Sequence, residues 1–329
     1  MIKSILITGG TGSFGQAFVK TVLNRFKNIK RLVVFSRDEQ KQFFMSQKFQ
    51  GKKYPSLRFF IGDVRNRERL RRSLDGIDCV VHAAALKHVP AGEYNPIEFI
   101  QTNIIGAQNL IEACIDAKVK QVVALSTDKA AAPVNLYGAT KLCSDRLFIS
   151  ANEYSGHTVK FSVVRYGNVF GSRGSVVPLF LEKKKEGVLP ITHKDMTRFN
   201  VTLKDGVEMV LWSLKNSLGG EILVPKTPSY KLLDLAKAIS PKSKIKIIGV
   251  RPGEKIHEEL ITKSDSFSTL DLGKYYVILP SSNTKIIKEY LKKKKGKKTN
   301  LQSYNSKDNE NFLTIKQIQD LLKDYLKKN

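Results

Sequence analysis

The chain has 329 residues and a formal net charge of +26, with 41% hydrophobic and 26% charged residues. This length allows a large core and two interlocked domains, and the composition is that of an ordinary globular protein rather than a disordered one. No apolar run reaches the roughly 18–20 residues that a membrane helix needs. The first predicted strand begins at Lys3, so we expect neither a signal peptide nor membrane insertion.

The cysteines and the excess of lysine limit the kinds of site to expect. Cys79, Cys114 and Cys143 stand in apolar stretches without CxxC spacing, which favours free buried thiols over metal or disulfide roles. A cytoplasmic protein is therefore predicted. The positive charge is concentrated in Lys292 to Lys298 and on predicted helix faces, without aromatic-basic interleaving. We prefer a solvated lysine-rich surface that attracts anionic substrates to a nucleic-acid interface.

Strands and helices alternate through the first half of the chain. The predicted strands are short and rich in valine and isoleucine, and they cover residues 5–7, 31–35, 57–61, 78–82, 121–125 and 159–165. Helices are predicted at 15–26, from the end of the second strand through residue 48, and at 67–74, 96–117 and 137–154. Strands of this kind belong to a parallel sheet that is buried on both faces. The predicted fold class is α/β, a doubly wound parallel Rossmann sheet.

The pattern changes after Arg165, where loops with glycine and proline separate shorter elements. We predict a dinucleotide-binding Rossmann domain over residues 1–167 and a smaller, partly intercalated α/β substrate domain over residues 168–282. A lysine-rich C-terminal extension follows at 283–329. It is predicted to hold a surface helix or linker at 284–299 and a helix at 312–326 with Thr314 near its start.

A glycine-rich segment follows the first predicted strand and opens the first helix. Gly9 permits the tight turn, Gly12 lets the backbone approach a pyrophosphate, and Gly15 permits close packing of helix on strand. The free N–H groups and the positive dipole end of that helix then face the phosphates. We expect the dinucleotide to be bound by residues here and at later strand ends: Thr8, Gly9, Thr11, Gly12, Ser13, Phe14, Gly15, Ser36, Arg37, Asp63, Val64, Ala83, Ala84, Ala85, Tyr137 and Lys141.

The end of the second predicted strand distinguishes NADP from NAD. An acidic side chain there would bind the ribose 2′-OH of NAD. In this chain Ser36 and Arg37 could hold a 2′-phosphate, and Arg37 would give charge-assisted hydrogen bonds. Asp38 could bind the 2′-OH instead. We favour NADP and keep NAD as the alternative.

Tyr137 and Lys141 carry the predicted chemistry. They stand four residues apart on a helix and therefore share one face. A neighbouring ammonium group and the positive nicotinamide ring of the bound cofactor favour the phenolate, so we expect the pKa of Tyr137 to lie below its ordinary value of about 10 when the cofactor is bound. Asp128 and Lys129 follow the fifth predicted strand and are expected to lie beside Tyr137.

The TGxxGxxG and YxxxK motifs resemble those of the extended short-chain dehydrogenases/reductases, which include nucleotide-sugar epimerases and dehydratases. The usual sugar 4,6-dehydratases carry Thr-Asp-Glu where this chain has Thr127-Asp128-Lys129. This departure, together with residues 135–141, resembles the inverting UDP-N-acetylglucosamine 4,6-dehydratases of the pseudaminic acid pathway. Further similar segments lie at 36–39, 85–89, 165–169, 196–199 and 250–255.

The resemblance implies a homo-oligomeric hydro-lyase that acts on UDP-N-acetylglucosamine and recycles a tightly held NADP in each turnover. Tyr137 would take the 4-OH proton, a neutral Lys129 would remove the C5 hydrogen, and a protonated Asp128 would donate to the departing 6-OH. Thr127 could hydrogen-bond the sugar, and Lys141 could hold the nicotinamide ribose. Arginine matches diphosphate geometry. The candidates for substrate binding are Lys87, His88, Asn168, Arg173, Val177, Thr192, Arg198, Arg251 and Glu254.

Other functions stay open at this point. One is a dehydratase that also epimerises, and another is a UDP-sugar 4-epimerase, although a simple epimerase needs no base at C5 and so would not need Lys129. A redox sensor or scaffold without turnover is opposed by the intact Tyr137, Lys141, Asp128 and Lys129. Nucleic-acid binding rests on charge alone, and we expect neither a nucleic-acid partner nor a metal.

Overall fold

A computed structural model of the chain describes residues 2–172, 174–280 and 283–327. Its strands, in chain order, are β1 (Ser4–Thr8), β2 (Arg31–Ser36), β3 (Leu57–Ile61), β4 (Cys79–His82), β5 (Gln121–Thr127), β6 (Lys160–Tyr166), β7 (Asn168–Val169), β8 (Val188–Ile191), β9 (Thr197–Val201), β10 (Ile222–Pro225), β11 (Ser229–Lys231), β12 (Lys244–Ile247), β13 (Glu259–Ile261), β14 (Thr269–Asp271), β15 (Tyr275–Ile278), β16 (Lys297–Lys298) and β17 (Tyr304–Asn305). Its helices are α1 (Ser13–Arg25), α2 (Glu39–Lys48), α3 (Arg67–Ser73), α4 (Val89–Tyr94), α5 (Pro96–Phe99), α6 (Gly106–Asp116), α7 (Leu136–Tyr154), α8 (Val176–Lys183), α9 (Leu203–Asn216), α10 (Leu232–Ile239), α11 (Lys263–Ser266), α12 (Thr284–Lys292) and α13 (Ile315–Leu326).

One large sheet organises the chain. Its parallel part has the order β3-β2-β1-β4-β5-β6-β10, and β15, β14 and β16 extend it in antiparallel fashion beyond β10. The strand order reverses beside β1, so the carboxyl ends of β1 and β4 open a crevice there, where ligands bind in sheets of this type. The predicted doubly wound Rossmann fold is confirmed. Segments from both sides of residue 167 build the same sheet.

The sheet is covered on both faces, as the valine-rich strands predicted. Leu6 of β1 packs into a core with α3, α6 and α7, whereas its neighbours Ile5 and Ile7 pack into a second core with α1 and α9. Successive strand residues point to opposite faces, so both sets are apolar only when both faces are buried. No helix among the described residues is both long and apolar enough to cross a bilayer.

A third apolar core lies in the smaller part of the molecule. It gathers side chains of α8, β8, α10 and α13, including Val177, Leu235 and Ile318. Thr314 caps α13 through a reciprocal pair with Gln317, so the predicted capped helix is confirmed. The C-terminal residues therefore complete this core, and their β17 also pairs with β13.

Three local predictions are corrected. The single helix predicted over 96–117 is interrupted by a π-helical stretch, Ile100–Ile105, between α5 and α6. The segment predicted as a surface helix or linker at 284–299 is a helix only to Lys292; it buries Tyr290 completely, and its end adds β16 to the large sheet. Cys143 is exposed on α7, unlike the buried Cys79 and Cys114.

The packing of α1 on β1 yields a test of the fold. A Cβ atom on Gly15 would lie 2.4 Å from the carbonyl oxygen of Gly10, whereas one on Gly51 would have no atom within 4 Å. Gly15→Ala is therefore expected to destabilise the protein by about 1–3 kcal/mol, despite the better helix propensity of alanine. Thermal unfolding without cofactor measures this effect. Gly51→Ala serves as the control, and equal midpoints for the two variants would contradict the close approach.

Candidate active site

A cleft of about 680 Å³ lies along the carboxyl ends of the parallel strands. It brings together residues from the ends of β1 to β6, the start of α1 and the start of α7. The predicted site residues that line it are Gly9, Thr11, Gly12, Ser13, Phe14, Gly15, Ser36, Arg37, Asp63, Val64, Ala83, Ala84, Ala85, Lys87, His88, Thr127, Lys129, Tyr137, Lys141 and Asn168.

The remaining predicted site residues lie elsewhere. Val177 and Thr192 are buried in the smaller part of the molecule, and Arg251 pairs with Glu254 at an exposed turn, with 2.6 Å between Nη2 and Oε1. Arg173 lies outside the described residues. The predictions for Thr8, Asp128 and Arg198 concern side chains that are buried behind the cleft wall.

Thr8 shapes the cleft without lining it. Its hydroxyl lies 2.8 Å from Nδ1 of His82 and accepts hydrogen bonds from the backbone N–H groups of Ala83 and Ala84, each at 3.2 Å. Burial lowers the pKa of His82 to about 3, so this ring is neutral at physiological pH. Thr8 thus fixes the turn after β4 against the end of β1.

The start of α1 fits a pyrophosphate group. Gly9 has a φ angle of +65°, and a Cβ atom there would lie 2.8 Å from the backbone nitrogen of Ala84. Only glycine allows that approach without strain. Gly12 caps α1 without a side-chain hydrogen bond, which leaves the first N–H groups of the helix facing the cleft.

The end of β2 carries cationic side chains and a carboxylate that already accepts hydrogen bonds from within the protein. Asp38 caps α2 by accepting from the backbone nitrogen of Lys41 at 2.8 Å, and it also pairs with the side chain of Lys41. These hydrogen bonds lower the pKa of Asp38 and engage its carboxylate. The hydroxyl groups of Ser36 and Thr11 are hydrogen-bonded at 2.9 Å, and Nη1 of Arg37 lies 3.7 Å from Oδ2 of Asp63.

Tyr137 and Lys141 are both buried at the start of α7, whose first turn Asn135 caps by accepting from the backbone nitrogen of Gly138. Burial raises the pKa of Tyr137 to about 12, although the charge of Lys129 and a hydrogen bond with Thr127 oppose this rise. The lowered pKa that is expected with the cofactor bound therefore does not hold for the protein alone. Burial lowers the pKa of Lys141.

A group of four ionisable side chains stands beside Tyr137; three of them are buried, and Lys129 is partly exposed at the cleft. Nζ of Lys129 lies 3.0 Å from Oδ1 of Asp128 and 3.2 Å from Oε1 of Glu258. The same oxygen of Glu258 lies 3.5 Å from Nε of Arg198. Two acids therefore face two cations in a volume from which water is largely excluded.

Burial and the opposite charges within this group set its protonation. Burial raises the pKa of Asp128, whose Oδ2 atom is fully buried without a hydrogen-bond partner. Burial also opposes the charge on Lys129, but Asp128 and Glu258 outweigh it and raise the pKa of Lys129. The pKa of Glu258 is lowered, because Lys129 and Arg198 outweigh its burial. Asp128 is thus suited to carry a proton, whereas Lys129 is cationic in the resting protein and must lose a proton before it can act as a base.

Arg198 has its hydrogen-bond donors engaged inside the protein. Its Nη1 atom donates to the carbonyl oxygens of Thr197 and Ile256, at 2.7 and 3.0 Å. Together with the contact to Glu258, these bonds point the guanidinium towards the charged group and not towards the cleft. The contact of Arg198 with a diphosphate stays a prediction.

Sequence reasoning missed two buried residues of the site. Glu258 follows the similar segment 250–255, but no motif distinguishes it from the adjacent Glu259. Asn103 stands in the π-helical stretch and holds the turn after β4, exchanging hydrogen bonds with both backbone groups of Leu86 at 2.9 Å. An asparagine on the apolar face of a predicted helix was the only available signal. Among the described residues, no three His, Cys, Asp or Glu side chains form a group that could hold a metal.

Comparisons with known proteins agree with this fold. The model of a polysaccharide biosynthesis protein family matches residues 5–280. A protein of Campylobacter jejuni named UDP-N-acetylglucosamine 4,6-dehydratase (inverting) is 54% identical over 282 residues, covering 85% of this chain and 83% of that protein. A UDP-glucose 4-epimerase of Rickettsia canadensis is 42% identical over 97% of this chain and 95% of its own. The X-ray structure of Pen from Bacillus thuringiensis has a TM-score of 0.89, with 37% identity over 98% of both chains.

The sheet order and the Tyr137–Lys141 pair thus define a Rossmann-type protein of the short-chain dehydrogenase/reductase class. Within it, the chain belongs to the polysaccharide biosynthesis protein family, together with the inverting dehydratase of Campylobacter jejuni.

The charged group yields a spectroscopic test. We expect infrared spectra at neutral pH to show a protonated carboxyl band that Asp128→Asn removes, because burial holds the proton on Asp128. A difference spectrum is needed, since burial also raises the pKa of Glu221. Asp324→Asn, at an exposed position of α13, is the control and should leave the band unchanged. An identical band in Asp128→Asn would show that Asp128 is ionised.

Proposed function

We propose that this chain dehydrates UDP-N-acetylglucosamine at C4 and C6 with inversion at C5, giving a UDP-4-keto-6-deoxy-L-arabino-hexose. The observation that carries the proposal is the pairing of a buried carboxyl group with a lysine amine, 3.0 Å apart, beside Tyr137 at the cleft. Loss of water needs an acid and a base on one sugar. The 54% identity to the inverting dehydratase of Campylobacter jejuni supports the same substrate.

NADP is the proposed cofactor, and the residues present fit it. The uncapped start of α1 accommodates the pyrophosphate, and Arg37 and Lys41 place positive charge beside Ser36, where a 2′-phosphate would lie. Asp38 is engaged as the cap of α2 and as the partner of Lys41, so it is a poor ligand for the 2′-OH of NAD. When bound, the cofactor would accept a hydride from C4, return it to C6, and supply a positive charge that favours the Tyr137 phenolate.

The residues then divide the proton transfers among them. Tyr137 takes the proton of the 4-hydroxyl as C4 is oxidised, and the new 4-ketone makes the C5 hydrogen acidic. Lys129 removes that hydrogen once it has given up its own proton. Asp128 donates to the departing 6-hydroxyl, which leaves as water. Tyr137, now protonated, returns a proton to C5 from the opposite face, which inverts that centre. Each such acid-base contribution is commonly worth about 10²–10⁴ in rate.

The second candidate is a UDP-sugar 4-epimerase, which the name of the Rickettsia relative suggests. It would use Tyr137 but would have no task for Asp128 and Lys129, which are buried at a desolvation cost beside it. Incubation with UDP-N-acetylglucosamine distinguishes the two. The dehydratase forms a product that is one water lighter, with no net NADPH. An epimerase forms a product of unchanged mass. Stoichiometric release of NADPH would instead indicate an ordinary dehydrogenase.

Lys129→Ala tests the base. We expect it to abolish exchange of the C5 hydrogen with solvent, because Lys129 is the proposed base and lines the cleft together with Tyr137. Trace C4 oxidation should persist, since Tyr137 and Lys141 are unchanged. NMR of the sugar in D₂O and NADPH absorbance in a single turnover measure the two steps. Lys185→Ala, on an exposed turn, is the control. Full C5 exchange in Lys129→Ala would remove the proposed role.

Arg37→Ala tests the cofactor. Removing a charge-assisted hydrogen bond to phosphate costs roughly 1.5–3 kcal/mol, so NADP affinity should fall about 10- to 100-fold while NAD affinity changes little. Titration calorimetry with each cofactor measures the difference. Arg71→Ala, which removes an exposed arginine of α3, should leave both affinities unchanged. The assignment would be contradicted if the wild-type protein bound NADP and NAD equally tightly and Arg37→Ala left both affinities unchanged.

The cytoplasmic location, the homo-oligomeric state, the division of the chain at residues 168 and 283 and the place in pseudaminic acid synthesis stay predictions.

A further inference from the structure

Glu258 is a buried carboxylate that no sequence motif assigned to the site. Its Oε1 atom is shared by Nζ of Lys129 at 3.2 Å and Nε of Arg198 at 3.5 Å, and its side chain is only 3% exposed. Its second oxygen, Oε2, is buried without a hydrogen-bond partner. An acid buried this deeply is retained at a cost of several kcal/mol unless its charge is compensated. Glu258 is therefore placed to act on Lys129.

The backbone around Glu258 is held from two sides. Its N–H group donates to the hydroxyl of Ser306 at 2.9 Å, and the N–H group of Ser306 donates to its carbonyl oxygen at 2.8 Å. The Ser306 hydroxyl also lies 2.7 Å from that of Thr197 at the start of β9. Lys255, three residues earlier, donates to the carbonyl oxygen of Ala131 at 2.6 Å. These bonds dock the Glu258 segment against the turn that carries Lys129.

We propose that Glu258 is a positioning residue for the Asp128–Lys129 pair: it holds the amine of Lys129 between two carboxyl groups and supplies the negative charge that balances it. The inference rests on the proposed function and assigns a residue to the step in which Asp128 donates a proton to the departing 6-hydroxyl. Because Glu258 carries the charge that balances Lys129, Asp128 can keep the proton that it donates.

The proton transfers balance. Lys129, which is partly exposed at the cleft, first loses a proton to solvent. Its neutral amine removes the C5 hydrogen while the Asp128 carboxyl proton leaves with the 6-hydroxyl as water. The Lys129 ammonium then passes a proton to the Asp128 carboxylate over the 3.0 Å contact, which restores the acid and the base for the next turnover. Besides the participants, the ionisable groups with an electrostatic influence on this cluster are Arg198, Tyr137, Tyr230 and Lys255.

Three variants separate this role from simple structural support. Glu258→Gln keeps the size of the side chain but cannot balance the charge of Lys129. Glu258→Asp keeps the charge and shortens the reach. Glu259→Gln removes the adjacent, half-buried carboxylate and is the matched control. Each protein is assayed at full length for kcat and KM with UDP-N-acetylglucosamine, for the Asp128 infrared band at neutral pH, and for thermal unfolding.

For Glu258→Gln we expect kcat to fall about 100-fold or more with KM changed less than about threefold, since a lost acid-base contribution acts on the chemical step. The Asp128 band should disappear, because Asp128 must then ionise to balance Lys129. Glu258→Asp should retain the band and recover about tenfold in kcat over Glu258→Gln, and Glu259→Gln should match the wild type.

A wild-type kcat in Glu258→Gln, or a retained Asp128 band in a folded Glu258→Gln, would overturn the proposal. If Glu258→Gln does not fold, loss of the band in Glu258→Asp would overturn it equally. A wild-type protein that forms no dehydrated product refutes the proposed function instead, while the infrared comparison still tests the coupling of Glu258 to Asp128.

Discussion

The compensation of charge behind the cleft wall is the constraint on which the site depends. Asp128, Lys129, Arg198 and Glu258 are brought together from three separate stretches of chain, and each is largely removed from water. A single buried charge left without its partner commonly costs 3–5 kcal/mol, so the group forms only if all three stretches dock. The turn after β5, the start of β9 and the segment before β13 must therefore occupy fixed relative positions. Catalytic geometry and folding are coupled at this point.

Those docking contacts explain why residues beyond the dinucleotide-binding strands matter to the site. Ser306 lies just after β17, which pairs with β13, and its hydrogen bonds hold the backbone of Glu258. The family model ends at residue 280, before this segment. The C-terminal residues of this chain thus contribute to the support of the charged group as well as to the third core.

Local periodicity and motif spacing were enough to predict the parallel sheet, the cleft and most of its lining. The short strands rich in valine and isoleucine require two covered faces, and the glycine turn and the Tyr137–Lys141 spacing are local features that sequence displays directly. The protonation states could not be predicted in this way, because they depend on groups brought close by folding. Asp128 and Glu258 together raise the pKa of Lys129 despite its burial, and burial raises the pKa of Tyr137. The orientation of the Arg198 guanidinium likewise depends on its hydrogen bonds to the carbonyl oxygens of Thr197 and Ile256, and the second of these is brought close only by folding.

Inversion at C5 requires that Lys129 and Tyr137 act on opposite faces of that carbon. The most direct measurement is the configuration at C5 of the product that the wild-type protein forms from UDP-N-acetylglucosamine in D₂O, read by NMR coupling constants. If the two residues act on opposite faces, the product is a 4-keto-6-deoxy sugar with deuterium at C5 and the L-arabino configuration. A product that retains the D configuration at C5 would contradict this arrangement.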